Sequence, residues 1–100
     1  MLVVRFKIQV RPDKADEVMA ALAAAVGPSR GLDGVISFDI GRDVTDPNAF
    51  VAVEVFEDRA ALDRQEAQEV VHNVLALLPD AVTAAPEATI FEVSSSAPHG

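Results

Sequence analysis

Residues Asn48 to Phe56 read NAFVAVEVF. The β-branched and aromatic residues mark a strand, and successive side chains of a strand point to opposite faces. Val51, Val53 and Val55 therefore share one face. Phe50, Ala52, Glu54 and Phe56 share the other. Neither face is polar enough to lie against water, and a single carboxylate, Glu54, interrupts the second. In a chain of 100 residues, something must cover both sides of this strand.

The flanking sequence supplies one cover. Upstream, GVISFDIGRD (34–43) is a second strand with Ile36, Phe38 and Ile40 on one face. DVTDPN (43–48) joins the two as a hairpin, with Asp46-Pro47-Asn48 as turn chemistry. Residues 2–10 alternate Leu2, Val4, Phe6, Ile8 and Val10 against Arg5, Lys7 and Gln9, which is a half-polar strand. Between this strand and the hairpin, RPDKADEVMAALAAAVGP is Ala-rich and helical. Asp13 is its expected cap, and Asp16 and Glu17 suit the positive end of its dipole. Val18, Leu22 and Val26 form its stripe, with Gly27-Pro28 as its expected end.

Downstream, Asp58 caps a second helical region predicted to run to about Leu78, before Pro79. Val70, Val71, Val74, Leu75, Leu77 and Leu78 fit one stripe at about 100° per residue. Leu62 lies outside it, and Gln65, Glu66 and Glu69 give Leu62 no apolar neighbour at helical spacing. One straight helix cannot bury both parts, so a break is predicted near Glu66–Glu69, where it would frame a pocket. TIFEVS (89–94) is the last strand. Residues 1–94 read as one domain and 95–100, SSAPHG, as a disordered polar tail.

The order β-α-β-β-α-β is that of an α+β, ferredoxin-like antiparallel sheet with both helices on one face. The helices cover Phe50, Ala52, Glu54 and Phe56. Leaving Val51, Val53 and Val55 in water would forgo about 5–8 kcal/mol, at about 1.5–3 per valine. A second copy packed sheet to sheet would recover it, so the chain is expected to be a homodimer with these valines at its interface. Composition agrees. A domain this small buries only about 60–65% of its unfolded surface, yet half the residues are hydrophobic.

A net charge of −8 and a pI near 4.5 argue against nucleic acid and anionic membrane as partners. With no cysteine and two distant histidines, no N/S metal site is expected. No apolar run approaches the ~18 residues of a membrane span. MLVVRFKIQV lacks the charged leader and cleavage region of a signal peptide, so a soluble, cytoplasmic protein is expected.

The segment SRGLDGVISFDIGRDVTDPNAFVAVEVFEDRAAL (29–62) resembles the central segment of the antibiotic biosynthesis monooxygenase family, the dimeric α+β barrels. The resemblance lies in Arg30, Gly34, Phe38, Asp46-Pro47, Phe50, Glu54, Phe56 and Asp58. It implies a ferredoxin-like monomer pairing into a barrel, with a pocket between sheet and helices. It further implies oxidation of quinols, anthrones or similar electron-rich aromatics by molecular oxygen, without metal, flavin or other cofactor. The family often carries Trp at the place of Phe56, catalytic members carry Asn at that of Ala52, and many carry His at the place of Gln65 and near Val70; a heme-degrading relative is expected to have all three types, and their loss favours a non-catalytic binding dimer. Those residue types are absent there, and His72 is displaced by two residues, about 200° around a helix.

Three polar residues are candidates for chemistry. Glu54 is a potential general base with its pKa raised by burial. Its more ordinary reading is a structural carboxylate paired with Arg5 or Lys7, since a buried carboxylate needs a partner. His72 suits a base or proton shuttle, or is simply a solvated helix residue. Gln65 is a candidate donor to a substrate oxygen, or an exposed polar residue. Phe38, Phe50, Ala52, Phe56, Leu62 and Phe91 are candidate walls of an aromatic site, or plain core. Two functions follow: a cofactor-independent monooxygenase acting on a small electron-rich aromatic, or a non-catalytic dimer that binds a small apolar ligand or serves assembly.

Overall fold

The structure, a computed structural model, describes residues 1–100. Strand β1 (Leu2–Gln9) leads through a short 3-10 turn (Pro12–Lys14) into helix α1 (Ala15–Arg30). Strands β2 (Val35–Asp43) and β3 (Asp46–Phe56) follow, then helices α2 (Arg59–Glu66) and α3 (Glu69–Ala81), and strand β4 (Glu87–Glu92). The strands form one antiparallel sheet in the order β2-β3-β1-β4. This is the ferredoxin-like α+β architecture expected from the element order.

The register assigns the faces. Ala52 lies opposite Phe6 on one side and Ile40 on the other; Glu54 lies opposite Val4 and Phe38. These residues face the helices. Val53 lies between Arg5 and Asp39, and Val55 between Val3 and Ser37, on the uncovered face. Val53 is 43% exposed there. Both sides of the opening stretch are thus as the alternation predicted, and no element of the chain covers the valines.

The core divides in two. The larger cluster joins Ile8, Val10, Val18, Leu22, Phe50, Val74 and Leu78. A smaller one joins Val4, Phe56, Ala61 and Leu62. The predicted break between the helices occurs at Ala67–Gln68. It lets α2 turn Leu62 into the small cluster while α3 turns Val74 and Leu78 into the large one. Asp58 caps α2 as expected, its Oδ1 accepting from the Ala61 amide at 2.9 Å.

Several local expectations are corrected. Asp13 does not cap α1; its carboxylate pairs with Arg11 at 2.7 Å in the preceding 3-10 turn. Pro28 and Pro79 lie inside their helices, which run on to Arg30 and Ala81. Each proline forfeits one amide bond, but tertiary bonds hold the turns beyond them. Ser29 is fully buried and bonded to two glutamines, Arg30 Nε donates to the Phe38 carbonyl at 2.9 Å, and the Arg11 amide donates to the Ala81 carbonyl at 2.8 Å. The hairpin reverses at Val44-Thr45, with Asp46–Asn48 already in β3. There Asp43 accepts from the Thr45 amide and hydroxyl, and these bonds, with Lys7, hold its carboxyl down at about 2. Ile36 does not join Phe38 and Ile40. The pairing slips between Val35 and Ser37, a β-bulge that leaves Ile36 more than half exposed.

Gly34 enters β2 with φ +83, and a Cβ there would lie 2.6 Å from the Ala61 Cβ. Gly34→Ala therefore adds left-handed strain to a clash with a buried residue, for an expected loss of at least about 2 kcal/mol. Urea unfolding checks this; a loss under about 0.5 kcal/mol would mean that α2 shifts aside freely.

Candidate functional site

A cavity of about 510 Å³ lies between the sheet and the helices, within the range of small-ligand pockets, roughly 300–1,000 Å³. It occupies the gap between the two core clusters. Val4, Phe6, Phe38, Ile40, Ala52 and Glu54 form its floor; Leu22 and Ala25 of α1 form one wall. The break between α2 and α3 forms the other wall, with Gln65 and Glu66 before it and Val71, His72, Val74 and Leu75 after it. Ala88 of β4 lies at one side. Small Ala52 leaves the space that its large neighbours on β3, Phe50 and Phe56, would fill.

Glu54 is 9% exposed. The expected ion pair does not form, because Arg5 and Lys7 project from the opposite face of the sheet and Lys7 instead reaches Asp43 at 3.3 Å. No fully buried side-chain N or O atom of the protein lacks a hydrogen-bond partner. The unpartnered Glu54 oxygens are therefore open to the cavity. Burial in apolar surroundings, and then the charge of Glu66, push the Glu54 carboxyl from the usual 4.5 up to about 7. That is the range in which a carboxylate works as a base near neutral pH.

Gln65 is buried, not exposed. Its Nε2 donates to Ser29 Oγ at 3.3 Å, and Gln68 Nε2 donates to the same oxygen at 3.0 Å and to the Gln65 carbonyl at 3.1 Å. This network ties the helix break to the end of α1. It also bonds one N–H of the Gln65 amide to Ser29 and leaves the second N–H and the side-chain carbonyl without a protein partner. Ser29 and Gln68 escaped the sequence reading. A serine just after Gly-Pro carries no periodic signal, and only the packing of α1 on the break buries it. His72 lies on the exposed side of α3 yet at the cavity.

Of the apolar candidates, Phe38 and Ala52 line the cavity. Phe50 belongs to the large core cluster, with the Arg42 guanidinium 5.3 Å above its ring, and Phe56 and Leu62 fill the small cluster. Phe91 is on the wrong face. It pairs with Val3, so it lies with the outer-face valines and is 49% exposed. Its neighbours Ala88 and Ile90 take the inner face, opposite Phe6 and Val4. The candidates thus divide between the cavity, the two cores and the uncovered sheet face.

The comparisons with known proteins agree with this geometry. Residues 1–77 match the family model described as antibiotic biosynthesis monooxygenase. An uncharacterised protein of Synechocystis, sll1783, is 33% identical over 95 residues, 95% of this chain. A Bacillus subtilis protein designated "Putative monooxygenase YcnE" is 32% identical over 62 residues, 62% of this chain. Each match spans 65% of the relative's own length. The solved structure of Rv0793 from Mycobacterium tuberculosis superposes with a TM-score of 0.87 at 25% identity, covering 97% of this chain and 98% of that one. A Deinococcus radiodurans structure at 18% identity shares the fold, with a TM-score of 0.88 over 100% of this chain and 99% of that one. With the family match running from β1 into α3 and the fold reproduced end to end, this chain belongs to the antibiotic biosynthesis monooxygenase family.

Proposed function

We propose that the protein is a cofactor-independent monooxygenase that oxidises a small hydroxylated aromatic, of quinol or anthrone type, with molecular oxygen. The observation that carries this reading is Glu54: a carboxylate without a partner, facing an apolar cavity of ligand size, with its pKa raised to about 7. In the proposed reaction Glu54 takes a proton from the bound aromatic. The resulting anion gives one electron to oxygen, the radical pair combines, and the O–O bond of the hydroperoxide breaks. One oxygen atom stays on the ring carbon as a ketone. The other leaves as water, taking the hydrogen that remained on that ring carbon and the proton held by Glu54. The substrate supplies the electrons. The protein supplies a base, a fixed orientation and a water-poor wall.

Gln65 holds a substrate hydroxyl through its free carbonyl oxygen, and Phe38, Ala52 and Leu22 enclose the ring. His72, at the cavity edge, exchanges the proton with solvent. Two copies pack their outer faces together, sealing Val51, Val53 and Val55, and Phe91 adds to the same surface. Oxygen consumption with a panel of quinols and anthrones tests the activity. Turnover above the uncatalysed background, with one product oxygen derived from labelled O₂, supports the reading. Ligand binding without oxygen uptake would instead assign the cavity to a non-catalytic binding dimer.

A further inference from the structure

We propose that the cavity selects uncharged, hydroxyl-bearing aromatic molecules and turns away their carboxylated counterparts, with Glu54 and Glu66 setting the choice. The proposal rests on the aromatic-oxidation reading above and extends it to which aromatics enter.

The charge census supports it. The titratable residues around the cavity are Glu54, Glu66 and His72; two of the three are acidic, and no Lys or Arg lines it. The eight basic residues of the chain are placed elsewhere. Lys7 pairs with Asp43, Arg11 with Asp13, Lys14 with Glu17, Arg42 with Asp16 and Arg59 with Asp63. Arg30 holds Asp39 and the Phe38 carbonyl, and Arg64 holds the Asp33 carbonyl. Arg5 stands on the outer face, between Val53 and Thr89. Above pH 7 an entering carboxylate therefore meets two like charges and no Lys or Arg. Behind an apolar wall that repulsion is stronger than in water. After burial, the charge of Glu66 also raises the Glu54 carboxyl, the direction expected of two acids lining one cavity.

Hydrogen bonding points the same way. The Glu54 carboxylate accepts, and so does the side-chain carbonyl of Gln65, whose Nε2 bonds Ser29 through one of its two N–H groups. Buried acceptors need a donor from the ligand. A phenolic hydroxyl provides one and an ionised carboxylate does not. The lining is otherwise hydrophobic at 11 of 15 residues, which suits a ring.

The chain has no Trp and no Tyr, so the fluorescence of a naphthol is read without protein background. The full-length protein is titrated at pH 8 and low salt with 2-naphthol and with 6-hydroxy-2-naphthoate. The expected result is binding of 2-naphthol, with the carboxylated compound at least about tenfold weaker. In Glu66→Gln, an exposed position, that ratio is expected to fall by at least about threefold. Equal affinities for the two compounds in the parent, or a ratio unchanged in Glu66→Gln, overturn the proposal alone. Failure of both compounds to bind overturns the aromatic-site reading and this inference with it.

Discussion

Glu54→Gln is expected to abolish oxygen consumption and, at the same time, to make the protein more stable. The two effects have one cause. A positioned base contributes about 10²–10⁴-fold to a proton-transfer step, and glutamine cannot take the proton, so turnover should fall by at least about 100-fold. For stability the sign follows from proton binding. Folded, Glu54 keeps its proton up to about pH 7, whereas its ordinary value is 4.5. Between those values the folded state binds more protons than the unfolded state, so stability falls as pH rises through that window. Below 4.5 both states are protonated and no penalty remains. Above 7 the cavity wall carries the full cost of an unpaired carboxylate. At about 1.4 kcal/mol per unit, the cost reaches about 3 kcal/mol by pH 8. Glutamine matches the shape and never ionises. Urea unfolding at fixed protein concentration should therefore find parent and variant alike near pH 4.5 and the variant ahead by that amount at pH 8. A variant less stable than the parent at pH 8 would mean that Glu54 has a stabilising partner, and the base assignment would fall. Loss of activity coupled to gain of stability is the usual mark of a group kept for function against the interest of the fold.

Val55→Asp is expected to dissociate the proposed dimer. The position follows from the register. Val55 lies between Ser37 and Val3, with Phe91 next beyond Val3, so no cation stands beside an aspartate placed there. In a two-fold symmetric interface each substitution counts twice. At about 2 kcal/mol or more for each carboxylate sealed without a partner, the pair costs about 4 kcal/mol, or about 1,000-fold in dissociation constant. Sedimentation velocity across the micromolar range reads this directly. Val53→Asp makes the internal comparison. Arg5 and Asp39 are its two cross-strand neighbours, so attraction and repulsion offset each other and the effect should be close to that at Val55. A parent that sediments as a single chain at these concentrations, or a Val55→Asp variant that stays paired, would remove the outer face as an interface.

Family membership places these predictions among proteins that share the fold, and the site residues particular to this chain decide them. Ala52 opens the cavity, Glu54 stands in it without a partner, and the Ser29–Gln65–Gln68 network holds the break between α2 and α3 in place. Each is a short-range fact about packing, and each can be altered singly.

The sequence by itself determined everything that depends on periodicity. Strict alternation in β1 and β3 assigned both faces of each strand. The mismatch between Leu62 and the Val74–Leu78 stripe required the helix break. Asp58 announced its cap three residues ahead of the amide it binds. These signals are local, and a local pattern suffices because burial on one side of a strand or helix repeats at a known interval. Only the tertiary structure decided the rest. In TIFEVS both Ile90 and Phe91 are apolar, so alternation leaves two choices of face, and pairing of Val3 with Phe91 makes the selection. Ile36 obeys the pattern but for one extra residue, which the bulge absorbs. Pro28 and Pro79 lose their stop signals to bonds made by distant residues. Glu54 looked like half of an ion pair until the sheet put Arg5 and Lys7 on its far side. What long-range contact decides, whether a charge has a partner and whether a gap stays open, is what makes this cavity a site, because neither a partner nor a void has a period along the chain.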